Sequence, residues 1–127
     1  MKIFLIDDLK IINLVNKKYL SQIGKNLEIM DFEDPQMAMN ALLKEMPSLI
    51  FLDLNMPEIN GWDILNHLEK HRLLIPVIIL TSSDSPVYRQ RAGTYSNIFS
   101  FQLKPISKTG IWELIQEVME TPQKKAS

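Results

Sequence analysis

Residues 49–61 read LIFLDLNMPEING. Four apolar residues, Leu49 to Leu52, run directly into Asp53, and the chain then breaks at Pro57 and again at Asn60-Gly61. A short unbroken apolar run fits a strand covered on both faces. A carboxylate at the end of such a strand is costly to bury unless something offsets its charge. The rest of the chain has to supply that partner.

Four further apolar runs read as strands: Lys2 to Ile6, Leu27 to Phe32, Ile75 to Leu80 and Ile98 to Leu103. Helical patterns separate them. Ile11, Ile12, Val15, Tyr19 and Ile23 recur at three-to-four spacing. Pro35 opens a second helix through Ala38, Ala41 and Leu42 that ends at Met46-Pro47. Trp62, Leu65 and Leu68 mark a third, and Pro86 to Ala92 a short fourth. Ile111, Leu114, Ile115, Val118 and Met119 form the apolar stripe of a fifth. Strand and helix alternating five times predict an α/β fold with a parallel sheet, right-handed crossovers and helices on both faces, a three-layer αβα sandwich. In such sheets ligands sit beyond the carboxyl ends of the strands, where strand order reverses.

The 127 residues suit one domain able to bury a core without staples. The absence of cysteine excludes a disulfide framework, a cysteine zinc site and a thiol nucleophile, and fits a reducing cytoplasm. A net charge of -1 without long like-charge blocks argues against direct nucleic-acid binding. The opening MKIFLIDD is too short an apolar run for a signal peptide, and no segment reaches transmembrane length. The reading is therefore a cytoplasmic chain with no membrane partner, a domain over 1–121 and a flexible tail over 122–127.

The residues after each strand concentrate the chemistry. Asp7 and Asp8 follow the first, Asp53 the third, Thr81, Ser82 and Ser83 the fourth, and Lys104-Pro105 the fifth. Singly each has an ordinary explanation: Asp8 as a helix cap, Thr81 as a helix cap or the start of a turn, Lys104 as a solvated charge. Together, three acids at one sheet edge repel and raise one another's pKa, and a hard divalent cation with oxygen ligands, Mg²⁺, is the natural counter-charge. A carboxylate beside Mg²⁺ is a competent nucleophile toward phosphorus. Lys104 and Thr81 are suited to hold phosphoryl oxygens. No glycine-rich phosphate loop follows the first strand, which disfavours a dinucleotide site.

With these residues assembled, the sequence resembles the receiver domain of two-component response regulators over essentially its whole length. Asp7-Asp8, DLNMPEING, ILTSS and LKP each stand at their own strand end. The resemblance implies a flavodoxin-like (βα)5 fold with strand order 2-1-3-4-5. It implies Asp53 as phospho-acceptor, Mg²⁺ (or Mn²⁺) held by Asp7, Asp8, Asp53 and the Asn55 backbone carbonyl, and Lys104 pairing with a phosphoryl oxygen. It further implies Thr81 and Phe101 as switch residues, Asn55, Ser82 and Ser83 as tuning positions, and a cis bond before Pro105. The implied donor is a sensor histidine kinase or a His-phosphotransfer protein. The implied output is a protein target on the surface of the fourth helix, fifth strand and fifth helix, with the chain a monomer or a phosphorylation-dependent dimer. Enzymatic activity is expected to stop at self-phosphorylation and autodephosphorylation. Two departures stand out: the span GTYSNIFSF sets Gly93 unusually far from Lys104, and Phe101 lacks the hydroxyl of the commoner Tyr.

Three rival readings are weaker. A pseudo-receiver that binds without phosphorylation would be free to lose the acid, hydroxyl and lysine set. A haloacid-dehalogenase-type phosphatase needs an acid two residues past its nucleophile, where this chain has Asn55. A flavin carrier of the same topology would meet three acids that repel its phosphate. His67 and His71 read as two solvated residues on the third helix. Trp62 and Trp112 read as packing, and Met37, Met39 and Met46 as core fillers. Tyr88, Tyr95 and Phe99 read as local packing or a partner surface.

Overall fold

The computed structural model describes residues 1–24 and 26–121. Its elements are β1 (Lys2–Ile6), α1 (Lys10–Ser21), β2 (Glu28–Phe32), α2 (Pro35–Glu45), β3 (Leu49–Leu52), α3 (Gly61–Lys70), β4 (Val77–Thr81), α4 (Pro86–Ala92), β5 (Ile98–Leu103) and α5 (Lys108–Glu120). The expected tail, 122–127, lies outside the described residues. The five strands form one parallel sheet in the order β2-β1-β3-β4-β5. The fold is thus the expected flavodoxin-like one.

Strand alternation divides the core in two. Phe4, Ile6, Ile50, Leu52, Val77 and Ile79 face one layer, packed with Ala38 and Leu42 of α2 and Trp62, Leu65 and Leu68 of α3. Ile3, Leu5, Leu49, Phe51, Ile78 and Leu80 face the other, against Leu20 of α1 and Ile111, Leu114 and Ile115 of α5. All four residues of β3 are at most 2% exposed, which explains the unbroken run LIFL: a central strand has no solvated face. Each such side chain stabilises the fold by about 1.5–3 kcal/mol.

Local signals account for the helix ends. The Asp34 side chain accepts from the Gln36 N–H before Pro35, and α2 stops at Met46 in the left-handed region, φ 46°. Asn60-Gly61 is not a separate turn. Asn60 caps α3 and exchanges reciprocal bonds with Asp63, so the helix begins at Gly61. The positive φ that reverses the chain lies earlier, at Glu58, φ 63°.

Several expectations about side chains fail. Met37 and Met46 are 61% and 52% exposed; among the three helix-two methionines Met39 alone packs on the core. Trp112 and Met119 lie on the outer side of α5. On α1 the apolar spacing does not mark the inner face, for Ile11 is 62% exposed whereas Asn13 and Asn16 are buried. His67 is not simply solvated. Its ring lies 4.3 Å from that of His71, and Nε2 is buried without a hydrogen-bond partner among the described residues. Burial and the neighbouring His71 hold its pKa below the usual histidine range.

The span GTYSNIFSF has a structural explanation. Buried Asn97 donates from its amide to the carbonyls of Leu73 and Ile75, at 2.6 and 3.0 Å, pinning the entry to β5 against the entry to β4. The Val77 N–H donates to the Asn97 carbonyl at 2.8 Å. The extra residues after Gly93 thus form a hydrogen-bonded corner that sets the β4–β5 pairing.

Candidate functional site

Register alone brings two of the acids together. Ile6 pairs with Leu52 across β1 and β3. The ladder continues one residue further on each strand: the Asp7 N–H donates to the Phe32 carbonyl, and the Asp53 N–H to that of Ile6. Asp7 and Asp53 are therefore the next cross-strand neighbours, and alternation turns both toward the side of the sheet that carries α1 and α5. β1 and β3 adjoin where the connections reverse direction, the topological switch point.

Asp7 is 4% and Asp53 4% exposed, while Asp8 is half-buried. One carboxylate oxygen from each of the three lies within 4.8 Å of the others. Lys104 Nζ sits 2.6 Å from Asp7 Oδ2 and 3.3 Å from Asp53 Oδ1, so a single ammonium serves two buried carboxylates. That compensation is incomplete. Burial, and next the Asp7 charge, push the Asp53 carboxyl up to about 6, although Lys104 and the Asn55 N–H pull the other way.

The backbone holds this arrangement. Lys104 is placed by its N–H to the Thr81 carbonyl, 2.8 Å, and the Lys104-Pro105 peptide is cis, as anticipated. The Asn55 N–H donates to Asp53 Oδ1 at 3.3 Å. Gly61 lies against the β3 end, its N–H on the Leu54 carbonyl at 3.1 Å. A Cβ there would overlap the Asp53 carbonyl oxygen and stand 2.8 Å from Leu54 Cα. The glycine that closes DLNMPEING is thus required by close backbone approach.

Of the ordinary explanations considered for single residues, the turn at Thr81 holds, whereas the helix caps and the solvated lysine do not. Leu9, not Asp8, is the N-cap of α1, and no side chain caps that end; Asp7 Oδ1 accepts the Leu9 N–H instead. Thr81 is the fully buried last residue of β4, its Oγ1 accepting from the Ser83 N–H, and Ser85 is the N-cap of α4. Lys104 has a side chain only 11% exposed.

Phe101 pairs in register with Ile79, and Thr81 lies two residues further along that strand, so Phe101 and Thr81 share the face opposite the acids. Phe101 is half-buried and covered by the Arg89 guanidinium, 4.6 Å from the ring centre. Arg89 is in turn bound to Asp84 at 2.8 Å. Ser82 is exposed and Ser83 half-buried on the loop between β4 and α4.

Three residues of the site are not read as such from the sequence: Asn13 and Asn16 go unnoticed, and Tyr88 is read as packing or a partner surface. The Asn13 amide donates to the carbonyls of Asp7 and Phe32, at 3.0 and 3.1 Å, fixing the loop that carries the acids. Asn13 and Asn16 line a cavity of about 10 Å³ with Asp7 and Asp53, about the size of one water. Tyr88 donates to Asn55 Oδ1 at 3.0 Å. The available signal for the first two was a pair of asparagines three apart on the helix that follows the two acids.

With this geometry in view, comparison with known proteins is direct. The pattern of the response regulator receiver domain matches residues 3–116. The chain belongs to that family, the phosphoryl-accepting domains of two-component systems. It is similar to a probable methanogenesis regulatory protein, FilR2, of Methanothrix harundinacea, 32% identical over 80 residues, 61% of this chain and 50% of that protein. It is also similar to a probable transcriptional regulator, ycf27, of Porphyridium aerugineum, 29% identical over 99% of this chain and 51% of the other. The chain thus spans about half the length of these relatives. Among solved structures, a response regulator receiver domain from Rhodospirillum rubrum is 28% identical with a TM-score of 0.80, covering 99% of this chain and 100% of its own. A CheY-like receiver from Methanospirillum hungatei superposes with a TM-score of 0.84 at 21% identity over 94% of each chain, a likeness of fold.

Proposed function

We propose that Asp53 accepts a phosphoryl group from a phosphohistidine of a sensor kinase or His-phosphotransfer protein, and that the chain signals in the cytoplasm through protein contacts that depend on this change. The observation that carries the reading is the Asp7, Asp8 and Asp53 cluster at the switch point, with Lys104 bridging two of its members. Three acids and one ammonium leave an excess of negative charge in a partly buried site, and the all-oxygen donor set fits Mg²⁺ or Mn²⁺. Asp7, Asp8, Asp53 and the Asn55 carbonyl would hold the ion. Once bound, it would neutralise charge on the acceptor and the incoming phosphoryl group.

In the transfer, an Asp53 carboxylate oxygen bonds to phosphorus as the P–N bond to the donor imidazole breaks. The bonding pair stays on that nitrogen. Lys104 stabilises charge on the phosphoryl oxygens, and the Thr81 hydroxyl donates to one of them, giving up its place in the local turn with Ser83. Because Thr81 and Phe101 share a face, this reorientation frees volume beside Phe101 and biases the surface of α4, β5 and α5 toward its target. The role is that of a signalling domain rather than of a turnover enzyme.

The test is intact mass after incubation with Mg²⁺ and acetyl phosphate. One phosphoryl adduct is expected, absent from Asp53→Asn and absent when Mg²⁺ is chelated. An adduct of equal yield in Asp53→Asn would defeat the assignment.

A further inference from the structure

The fastening of α4 suggests how long the phosphoryl group stays. Trp62, buried at the start of α3, carries Tyr88 edge-on at 5.8 Å, Tyr95 stacked at 5.9 Å and the Arg91 guanidinium 4.3 Å over its ring. The Tyr95 phenol donates to Asn66 Oδ1 on α3 at 2.8 Å. The Tyr88 phenol reaches instead to Asn55 Oδ1, two residues beyond Asp53, at 3.0 Å. The Asn55 N–H donates to Asp53 Oδ1. Asn55 is therefore tied to the acceptor by its backbone and to α4 by its side chain.

Asn55 is exposed, and nothing else among the described residues hydrogen-bonds its carboxamide. Released, a carboxamide so placed can swing over an acyl phosphate on Asp53, and its oxygen can accept a hydrogen bond from a water and orient it toward phosphorus. Bound to Tyr88, that oxygen is occupied and the amide is drawn toward α4. The Tyr88 ring is braced by Trp62, so the phenol is held in place at little entropic cost.

We propose that Tyr88 is a positioning residue that lengthens the lifetime of the Asp53 phosphoryl group by holding the Asn55 carboxamide against α4. The inference rests on Asp53 being the acceptor. In the step it slows, a water oxygen bonds to phosphorus and the bond from phosphorus to the Asp53 oxygen breaks. The electron pair returns to the carboxylate, the water proton passes to solvent, and inorganic phosphate leaves.

The experiment loads the full chain with acetyl phosphate and Mg²⁺, removes the donor by rapid desalting, and follows decay of the adduct by intact mass at constant Mg²⁺. Tyr88→Phe keeps the ring against Trp62 and removes the one bond. Its adduct is expected to decay roughly three- to tenfold faster, the factor one neutral hydrogen bond supplies. In an Asn55→Ala background, Tyr88→Phe is expected to change nothing. Tyr95→Phe removes a matching phenol–asparagine bond from the same Trp62 cluster and is expected to decay as the parent does. Unchanged or slower decay in Tyr88→Phe overturns the proposal. Equal acceleration in Tyr95→Phe overturns it too, because loosened α4 packing would then be the cause. A parent chain that takes no adduct overturns the functional reading itself, whereas an adduct whose lifetime ignores Tyr88 overturns this inference alone.

Discussion

Replacing Asp53 by Asn should stabilise the metal-free protein at neutral pH. The folded state raises the Asp53 pKa from 3.8 to about 6, chiefly by burial and then by the Asp7 charge. A folded pKa above the unfolded one means that the folded state binds the proton more tightly. The associated stability is complete below about pH 4, is lost as pH rises through about 6, and stays lost above. That rise in pKa puts the cost of the ionised group on the order of 3 kcal/mol. The carboxamide of Asp53→Asn would carry no charge and could still accept from Lys104 and from the Asn55 N–H, leaving Asp7 and Lys104 as a balanced pair. Urea unfolding in the presence of a chelator, followed by far-UV circular dichroism, measures both proteins across pH 4 to 7.5. The variant is expected to be more stable by about 2–3 kcal/mol at pH 7.5, with the gap closing toward pH 4. Comparing the two proteins at each pH cancels the carboxylates distant from the site. A variant no more stable than the parent at pH 7.5, or a gap independent of pH, would refute the argument that Asp53 is an under-compensated buried charge. Added Mg²⁺ should raise the parent's midpoint more than the variant's.

Other substitutions probe the supports. Gly61→Ala forces a methyl group into the Asp53 carbonyl and Leu54; a loss of about 2–4 kcal/mol in urea unfolding, with lower phosphoryl yield at Asp53, is expected. Asn13→Ala removes the amide's bonds to the Asp7 and Phe32 carbonyls, the latter keeping its bond from the Asp7 N–H, and should cost about 1–2 kcal/mol by the same assay. Asn97→Ala removes both bonds that seat the corner before β5. A similar loss is expected there, with phosphorylation of the remaining folded protein intact by mass.

Much of the architecture was legible because strand and helix leave periodic traces. LIFL announces a central strand, the alternation of elements announces a parallel sheet, and the order of strand-end residues announces where the acids meet. The helices were legible as helices, but their inner faces were less so. Spacing shows which residues can share a face, not which neighbour covers it. On α1 the covered face is set by contact with the sheet and by the carbonyls of Asp7 and Phe32, so buried asparagines stand where an apolar stripe was the natural guess. Met37, Met46, Trp112 and Met119 remain exposed for the converse reason: no element lies over them among the described residues.

What the sequence determined by itself was the order of elements and the kind of chemistry at each strand end, since both depend on local pattern and residue type. Tertiary structure decided the rest. It made one lysine serve two carboxylates, let burial lift Asp53 to about 6, and tied Tyr88 to Asn55 across 33 residues of chain. Those features depend on through-space distance and exclusion of water, quantities that exist only once β1, β3, β5 and α4 have been brought to the same edge of the sheet.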